Sequence, residues 1–207
     1  MTTKPHWERL YATKPSERLG WYEPSLRSSL ALIRRTGVSR TAPIIDVGGG
    51  AATLVDDLLE AGFEDLTVLD IAAAALAQSR ARLGERADRV RWLEGDVTDV
   101  ILPDDHYAIW HDRAVFHFLT SAEDRARYVD RLWRALVTGG HIVIATFAPE
   151  APPTCSGLDV VRYTPEGLHQ ALGASLILHE HHQALHVTPG GVEQRYLYCR
   201  FQKPPCS

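Results

Sequence analysis

Three consecutive glycines, Gly48, Gly49 and Gly50, close the apolar run IIDV and open a segment, TLVDDLLEAG, with helical periodicity that stops at Gly62. Glycine lowers the stability of both helix and strand interiors, so the chain must turn at this point. The short apolar run before it reads as a buried strand and the segment after it as a helix. A strand, a tight turn and a helix make the first half of a βαβ unit, and a turn without Cβ atoms lets backbone N–H groups approach a ligand closely.

The alternation then repeats along the chain. LTVLDI reads as a strand, AAAALAQSRARLG as a helix ending at Gly84, and VRWLEGD and YAIWHD as two more strands. SAEDRARYVDRLWRALVTGG reads as a helix with Ser121 as N-cap and Glu123 and Asp124 in its first turn, and HIVIATF as a fifth strand. Upstream, SLRSSLALIRR follows Pro24 and carries the helical stripe Leu26, Leu30 and Ile33. Strands and helices in regular alternation imply right-handed crossovers and a doubly wound, mostly parallel sheet. The end of the chain departs from this pattern. After a helix starting at Pro165, SLILHEHHQALHV and EQRYLYCRFQ are strand-like and joined by TPGG, which requires an antiparallel hairpin. The expected fold is α/β with a seven-stranded sheet ending in that hairpin. It forms one domain over 1–207, with an N-terminal cap (1–40), a ligand-binding core (41–147) and a lid plus hairpin (148–207).

Bulk properties exclude several classes. A formal charge of -4, from 22 Lys and Arg against 26 Asp and Glu, supplies no basic field for nucleic acid. Cys155, Cys199 and Cys206 are too scattered for a disulfide framework or a structural zinc site. The first 30 residues have no apolar leader core and no run approaches a membrane-spanning length, so we expect a cytoplasmic protein without membrane contact. HEHH, with His179, His181, His182 and His186, invites a metal reading. In a strand, however, His179 and His181 share one face and His182 points away, so a solvated edge face is expected and no metal site.

Three carboxylates mark the ends of successive strands. Asp46 precedes the glycines, Asp70 follows about twenty residues later with Ile71 behind it, and Asp96 ends the third strand beside Val97. Asp46 can hold an ammonium or the loop itself, or cap the next helix. Asp70 is placed to accept two ribose hydroxyls, and Asp96 to accept an adenine amine next to the Val97 N–H. The motifs IIDVGGG, LTVLDI, LEGDV and GGHIVIATF, over roughly residues 40–147, resemble those of class I S-adenosylmethionine-dependent methyltransferases, whose fold is Rossmann-like. A dinucleotide loop would need a third glycine where Thr53 stands, whereas the small Ala52 suits the methyltransferase pattern. The resemblance implies S-adenosyl-L-methionine as cofactor. HWERLYATK and LGWYEPS are similar to the openings of a subgroup containing bacterial proteins of unknown acceptor and eukaryotic protein-lysine methyltransferases. That resemblance makes Tyr11 and Trp21 cofactor contacts, although such aromatics can equally cover a sheet edge.

Beyond the fourth strand, WHDRAVFHFL offers His111, Asp112 and His117 as groups to deprotonate or orient an acceptor. His117 can equally pack between Phe116 and Phe118, and Asp112 can equally pair with Arg113. Cys155 lies in a loop where an acceptor would enter. A small-molecule nitrogen, sulfur or oxygen nucleophile is the expected acceptor, and a protein lysine is the alternative. An NAD(P)-dependent oxidoreductase, or a cofactor-binding module without turnover, would be different classes. The ribose assignment predicts that Asp70→Ala weakens cofactor binding strongly in a protein that still folds. Calorimetric titration checks this, and normal affinity in the folded variant contradicts it.

Overall fold

The computed structural model describes residues 4–205; Cys206 lies outside them. The chain forms α1 (Lys4–Thr13), α2 (Arg27–Arg35), β1 (Ile44–Val47), α3 (Leu54–Glu60), β2 (Leu66–Asp70), α4 (Ala73–Leu83), β3 (Val90–Glu94) and β4 (Tyr107–Arg113). α5 (Ala122–Ala135), β5 (Leu136–Phe147), the two-residue strands β6 (Thr154–Cys155) and β7 (Leu158–Asp159), α6 (Pro165–Leu172), β8 (Ile177–Val187) and β9 (Glu193–Gln202) complete it. Seven strands make one sheet in the order β3-β2-β1-β4-β5-β9-β8. β1 pairs in parallel with both β2 and β4, while β9 lies antiparallel between β5 and β8. The expected doubly wound sheet with its antiparallel end is therefore observed.

Period-two alternation sorts the apolar side chains onto the two faces. Ile44, Ile109 and Val143 join Leu32, Ile33, Leu58 and Leu76 beneath α2, α3 and α4. Their neighbours Ile45, Trp110, Ile142 and Ile144 join Tyr128, Leu132, Leu168 and Leu172 beneath α5 and α6. A third cluster, with Tyr11, Leu19, Ala51, Ala72 and Ala75 buried, seats α1 against α4. Ser121 accepts from Asp124 N (3.0 Å) at the start of α5, and Thr164 accepts from Gly167 N (3.1 Å) ahead of Pro165.

Three local expectations are corrected. KPHWERLYAT, to which the sequence pattern assigns no helix, is the helix α1. The helix expected over 121–140 ends at Ala135, and Leu136 is already extended and paired with Tyr107. Its last residues include two glycines, Gly139 at φ +76°, which form a helix poorly, and the sheet takes them instead. α2 starts at Arg27, three residues after Pro24, because Asp57 Oδ2 accepts from Leu26 N (2.7 Å) and so holds the chain short of the helix.

Asp112 belongs to this framework. Its carboxylate accepts from Val115 N (2.9 Å), Phe116 N (3.1 Å) and Tyr128 Oη (2.6 Å), while Trp110 Nε1 donates to the same Tyr128 oxygen (2.8 Å). The group is fully buried and burial pushes Asp112 up to about 6, with the three donors working the other way. It does not pair with Arg113, because successive side chains on β4 point to opposite faces. Tyr128→Phe strands the Trp110 N–H and removes a donor from a buried carboxylate. We expect a loss of about 2 kcal/mol in urea denaturation; an unchanged midpoint contradicts this role.

Candidate active site

The crevice opens where β1 and β4 lie side by side, because α3 leaves β1 for one face of the sheet and α5 follows β4 on the other. A cavity of about 1100 Å³, its open mouth included, occupies this switch point. Asp46, Gly48, Gly49, Asp70, Ile71, Asp96, Val97 and His111 line it, together with Tyr11 and Trp21. Gly50, Asp112 and His117 do not.

Glycine in the β1 turn is required by contact with the acids. A Cβ on Gly49 would sit 2.3 Å from Asp46 Oδ2, and one on Gly50 would sit 2.3 Å from Asp70 Oδ2. The loop thus rests directly on two carboxylates, which leaves a cradle that any side chain would fill. Asp46 Oδ1 accepts from His111 Nδ1 (2.6 Å), and His111 Nε2 meets Ser29 Oγ (2.8 Å). With the carboxylate as acceptor, Nδ1 carries the proton. Both His111 nitrogens are committed, so the residue holds Asp46 in place and has no free nitrogen to serve as a base.

Asp70 accepts from Ala72 N (2.9 Å) and the Gly50 N–H, yet burial drives it up to about 7, with Asp46 adding to the rise. Asp96 Oδ1 accepts from Thr98 N (2.9 Å) and Oγ1 (2.7 Å), which fixes the carboxylate in its turn. His117 is turned into the core, edge-on to Phe118 (4.5 Å) and Phe147 (4.8 Å), in a short 3-10 turn. Its Nδ1 accepts from Phe147 N (3.3 Å), and burial, reinforced by the Arg113 charge, pushes it down to about 3. A ring so placed is a poor proton acceptor near neutral pH, and the packing alternative is the one observed, with Phe147 in place of Phe116.

Several lining residues had no local signal in the sequence. Trp7 and Phe118 join Tyr11 and Trp21 in an edge-to-face cluster, with Trp7 5.2 Å from Phe118 and 5.7 Å from Trp21. The periodic spacing of Trp7, Leu10 and Tyr11 was the available hint. α1 is fastened over the cavity by Glu8, which accepts from Ala73 N (2.8 Å) and Ala74 N (3.2 Å) at the start of α4. Gln78 Nε2 adds a bond to Tyr11 O (2.6 Å). Cys155, brought to the cavity by the β6–β7 turn, is buried, and burial pushes its thiol up from the ordinary value, so it is a neutral thiol. Arg113 also lines the cavity, with its partners on distant segments.

Charge separates the ligands that this cavity suits. Asp46, Asp70, Asp96 and Asp124 line it against the single guanidinium of Arg113, which is itself paired with Glu23. A pyrophosphate would meet like charge here, whereas a ligand bearing a cationic centre, a ribose and an adenine amine finds acceptors. S-adenosylmethionine, with its sulfonium and ammonium, fits this set. Elsewhere, His179 meets Gln202 (2.8 Å), His182 stacks on Tyr198 (5.2 Å), and no three metal-ligating side chains converge among the described residues. No helix among those residues is long and apolar enough to cross a membrane.

Comparison with known proteins places this architecture. Residues 44–140 match the family model described as a methyltransferase domain. The chain is 23% identical over 149 residues to the eEF1A lysine and N-terminal methyltransferase of Mus musculus, covering 69% of this chain and 21% of that protein. It therefore spans about a fifth of that relative's length. It is 31% identical over 134 residues to a ubiquinone/menaquinone biosynthesis C-methyltransferase of Methylobacterium nodulans, covering 62% of this chain and 51% of the relative. The fold superposes at a TM-score of 0.69, with 20% identity and coverage of 96% and 83%, on the 1,6-didemethyltoxoflavin-N1-methyltransferase of Burkholderia thailandensis, whose structure holds S-adenosylhomocysteine. The methyltransferase-domain match covers the strands that build the crevice, and the fold is the one found in S-adenosylmethionine-dependent methyltransferases of known structure.

Proposed function

We propose that the protein methylates a nitrogen, sulfur or oxygen nucleophile of a small molecule held beside the cofactor under the α1 lid. The observation that carries this reading is the fastened aromatic roof of Trp7, Tyr11, Trp21 and Phe118, which walls the cavity with flat apolar surface suited to a compact acceptor. In the 1,6-didemethyltoxoflavin-N1-methyltransferase, a neighbour in fold, the bound partner of S-adenosylhomocysteine is 1,6-didemethyltoxoflavin, a small molecule. Protein lysine is the second reading, favoured by the relatives named as eEF1A lysine and N-terminal methyltransferases.

In this assignment Asp96 and Val97 hold the adenine, Asp70 the ribose hydroxyls, and Asp46 with the Gly48–Gly49 backbone the amino-acid end. Tyr11 and Trp21 cover that end. The bound cofactor supplies a methyl already activated on a sulfonium, so the residues around it need to align a nucleophile and exclude water. Aromatic walls perform both tasks. His111 has both nitrogens occupied, and Asp112 and His117 lie outside the cavity. None of the three therefore serves as base, which favours acceptors whose lone pair is free near neutral pH, such as a ring nitrogen or an ionised thiol.

Two predictions follow from these roles. Ribose hydroxyls donate to an ionised Asp70 better than to its acid form, so binding below pH 7 must release a proton. With Asp70 near 7 in the free protein, affinity for S-adenosylmethionine is about tenfold higher at pH 8 than at pH 6. Asp70→Asn flattens that profile; an equally steep profile in the variant removes Asp70 from the role. For the acceptor, incubation with radiolabelled methyl donor should give label in small thiols or nitrogen heterocycles. Label confined to protein lysine overturns the small-molecule reading.

A further inference from the structure

The segment that carries Trp21 is tied down by two residues far away in sequence. Arg113, at the end of β4, donates from Nη1 to Trp21 O (3.0 Å), from Nε to Tyr198 Oη (3.1 Å) and from Nη2 to Glu23, and its guanidinium lies 4.5 Å over the Tyr196 ring. His186, near the end of β8, meets the same segment with both ring nitrogens. Nε2 is 2.7 Å from Gly20 O and Nδ1 is 3.3 Å from Glu23 Oε1.

These contacts determine the protons. A carbonyl oxygen only accepts, so Nε2 donates to Gly20. Burial pushes Glu23 up, but His186 and Arg113 outweigh it and hold the carboxyl below its ordinary range. Nδ1 therefore faces a carboxylate, and only an imidazolium donates to both partners at once. Around the ring, Glu23 comes from the loop before α2, the Tyr196 edge (6.1 Å) and Gln194 from β9, and Arg113 stands behind Glu23 from β4. The ring is 7% exposed, so water cannot readily take over a lost partner.

We propose that His186, with a ring nitrogen on each of Gly20 O and Glu23, and Arg113 form a clasp on Glu23 that positions Trp21 against the cavity. Cofactor retention then depends on a histidine on the far hairpin. Without the His186 ring, one side of the clasp on Glu23 is lost. Arg113 keeps its hold on Trp21 O, so the segment loosens without leaving. His186 and Arg113 act as positioning residues, through Trp21, for a cavity read here as the S-adenosylmethionine site.

Hydrogen–deuterium exchange on the ligand-free protein tests the clasp without the cofactor. Protection of residues 19–26, corrected for intrinsic rates, should fall about tenfold, the scale of one charge-assisted hydrogen bond, in His186→Gln, which keeps an N–H for Gly20 but brings no charge to Glu23, and in Glu23→Gln, with protection of the sheet strands unchanged. Full protection of residues 19–26 in either variant overturns the clasp. The second arm is titration with S-adenosylmethionine, where the Kd of His186→Gln should be about tenfold above that of the wild type at the same pH. An unchanged Kd in a variant that has lost protection overturns the link from clasp to Trp21.

Discussion

A buried carboxylate at the end of a central strand organises the crevice. Asp46 stands on β1 with His111 of β4 on one oxygen and the backbone of Gly49 pressed against the other. An unpaired charge at that depth would cost several kcal/mol, so the carboxylate must be held by donors. Ser29 on α2 reaches His111 from the far side and extends the chain of contacts from helix to strand to loop. The glycine run is the steric complement of this arrangement, since no larger residue fits against Asp46 or Asp70. The turn, the two central strands and α2 are thus interlocked at the place where a ligand of this fold binds.

The same logic bears on the kind of ligand the cavity suits. Burial raises Asp70 to about 7 in the absence of a ligand, so the free protein holds a carboxyl on the edge of ionisation. A ligand that brings hydroxyl donors and positive charge relieves that tension, whereas one that brings phosphate adds to it. The aromatic roof supplies what the acids do not: an apolar surface over the crevice. Residues around the switch point that look reactive in isolation are spent on structure. Asp112 ties α5 to β4 through Tyr128, and His117 fills the core against Phe147.

Periodicity made the sheet legible, because apolar residues at period two and helical stripes between them leave few other topologies. The three strand-end acids were legible for a related reason, since in an open parallel sheet carboxyl ends of neighbouring strands converge. The roles of His111, Asp112 and His117 were not, as each depends on which way a single side chain turns. Asp112 faces α5 and its neighbour His111 faces the cavity, and the phase of β4 relative to the crevice is set by tertiary packing. The sequence offers Asp112 as one alternative partner for Arg113, but its partners are Glu23, Trp21 and Tyr198, separated from it by 90, 92 and 85 positions. The contact between His186 and Gly20 spans 166 positions. Local pattern carries no information about contacts closed only by the whole sheet. α1 escaped for a weaker reason: its ten residues mix charge with aromatics, and its stability comes from Glu8 and Gln78 docking on α4.

Titration calorimetry of the purified protein with S-adenosylmethionine, S-adenosylhomocysteine and NADH in parallel tests the central claim most directly. The acid-lined crevice predicts micromolar binding of the first two and none of the third. Binding of NADH alone would mean that the cavity at the β1–β4 switch point accepts a pyrophosphate despite its four carboxylates, and would contradict the account.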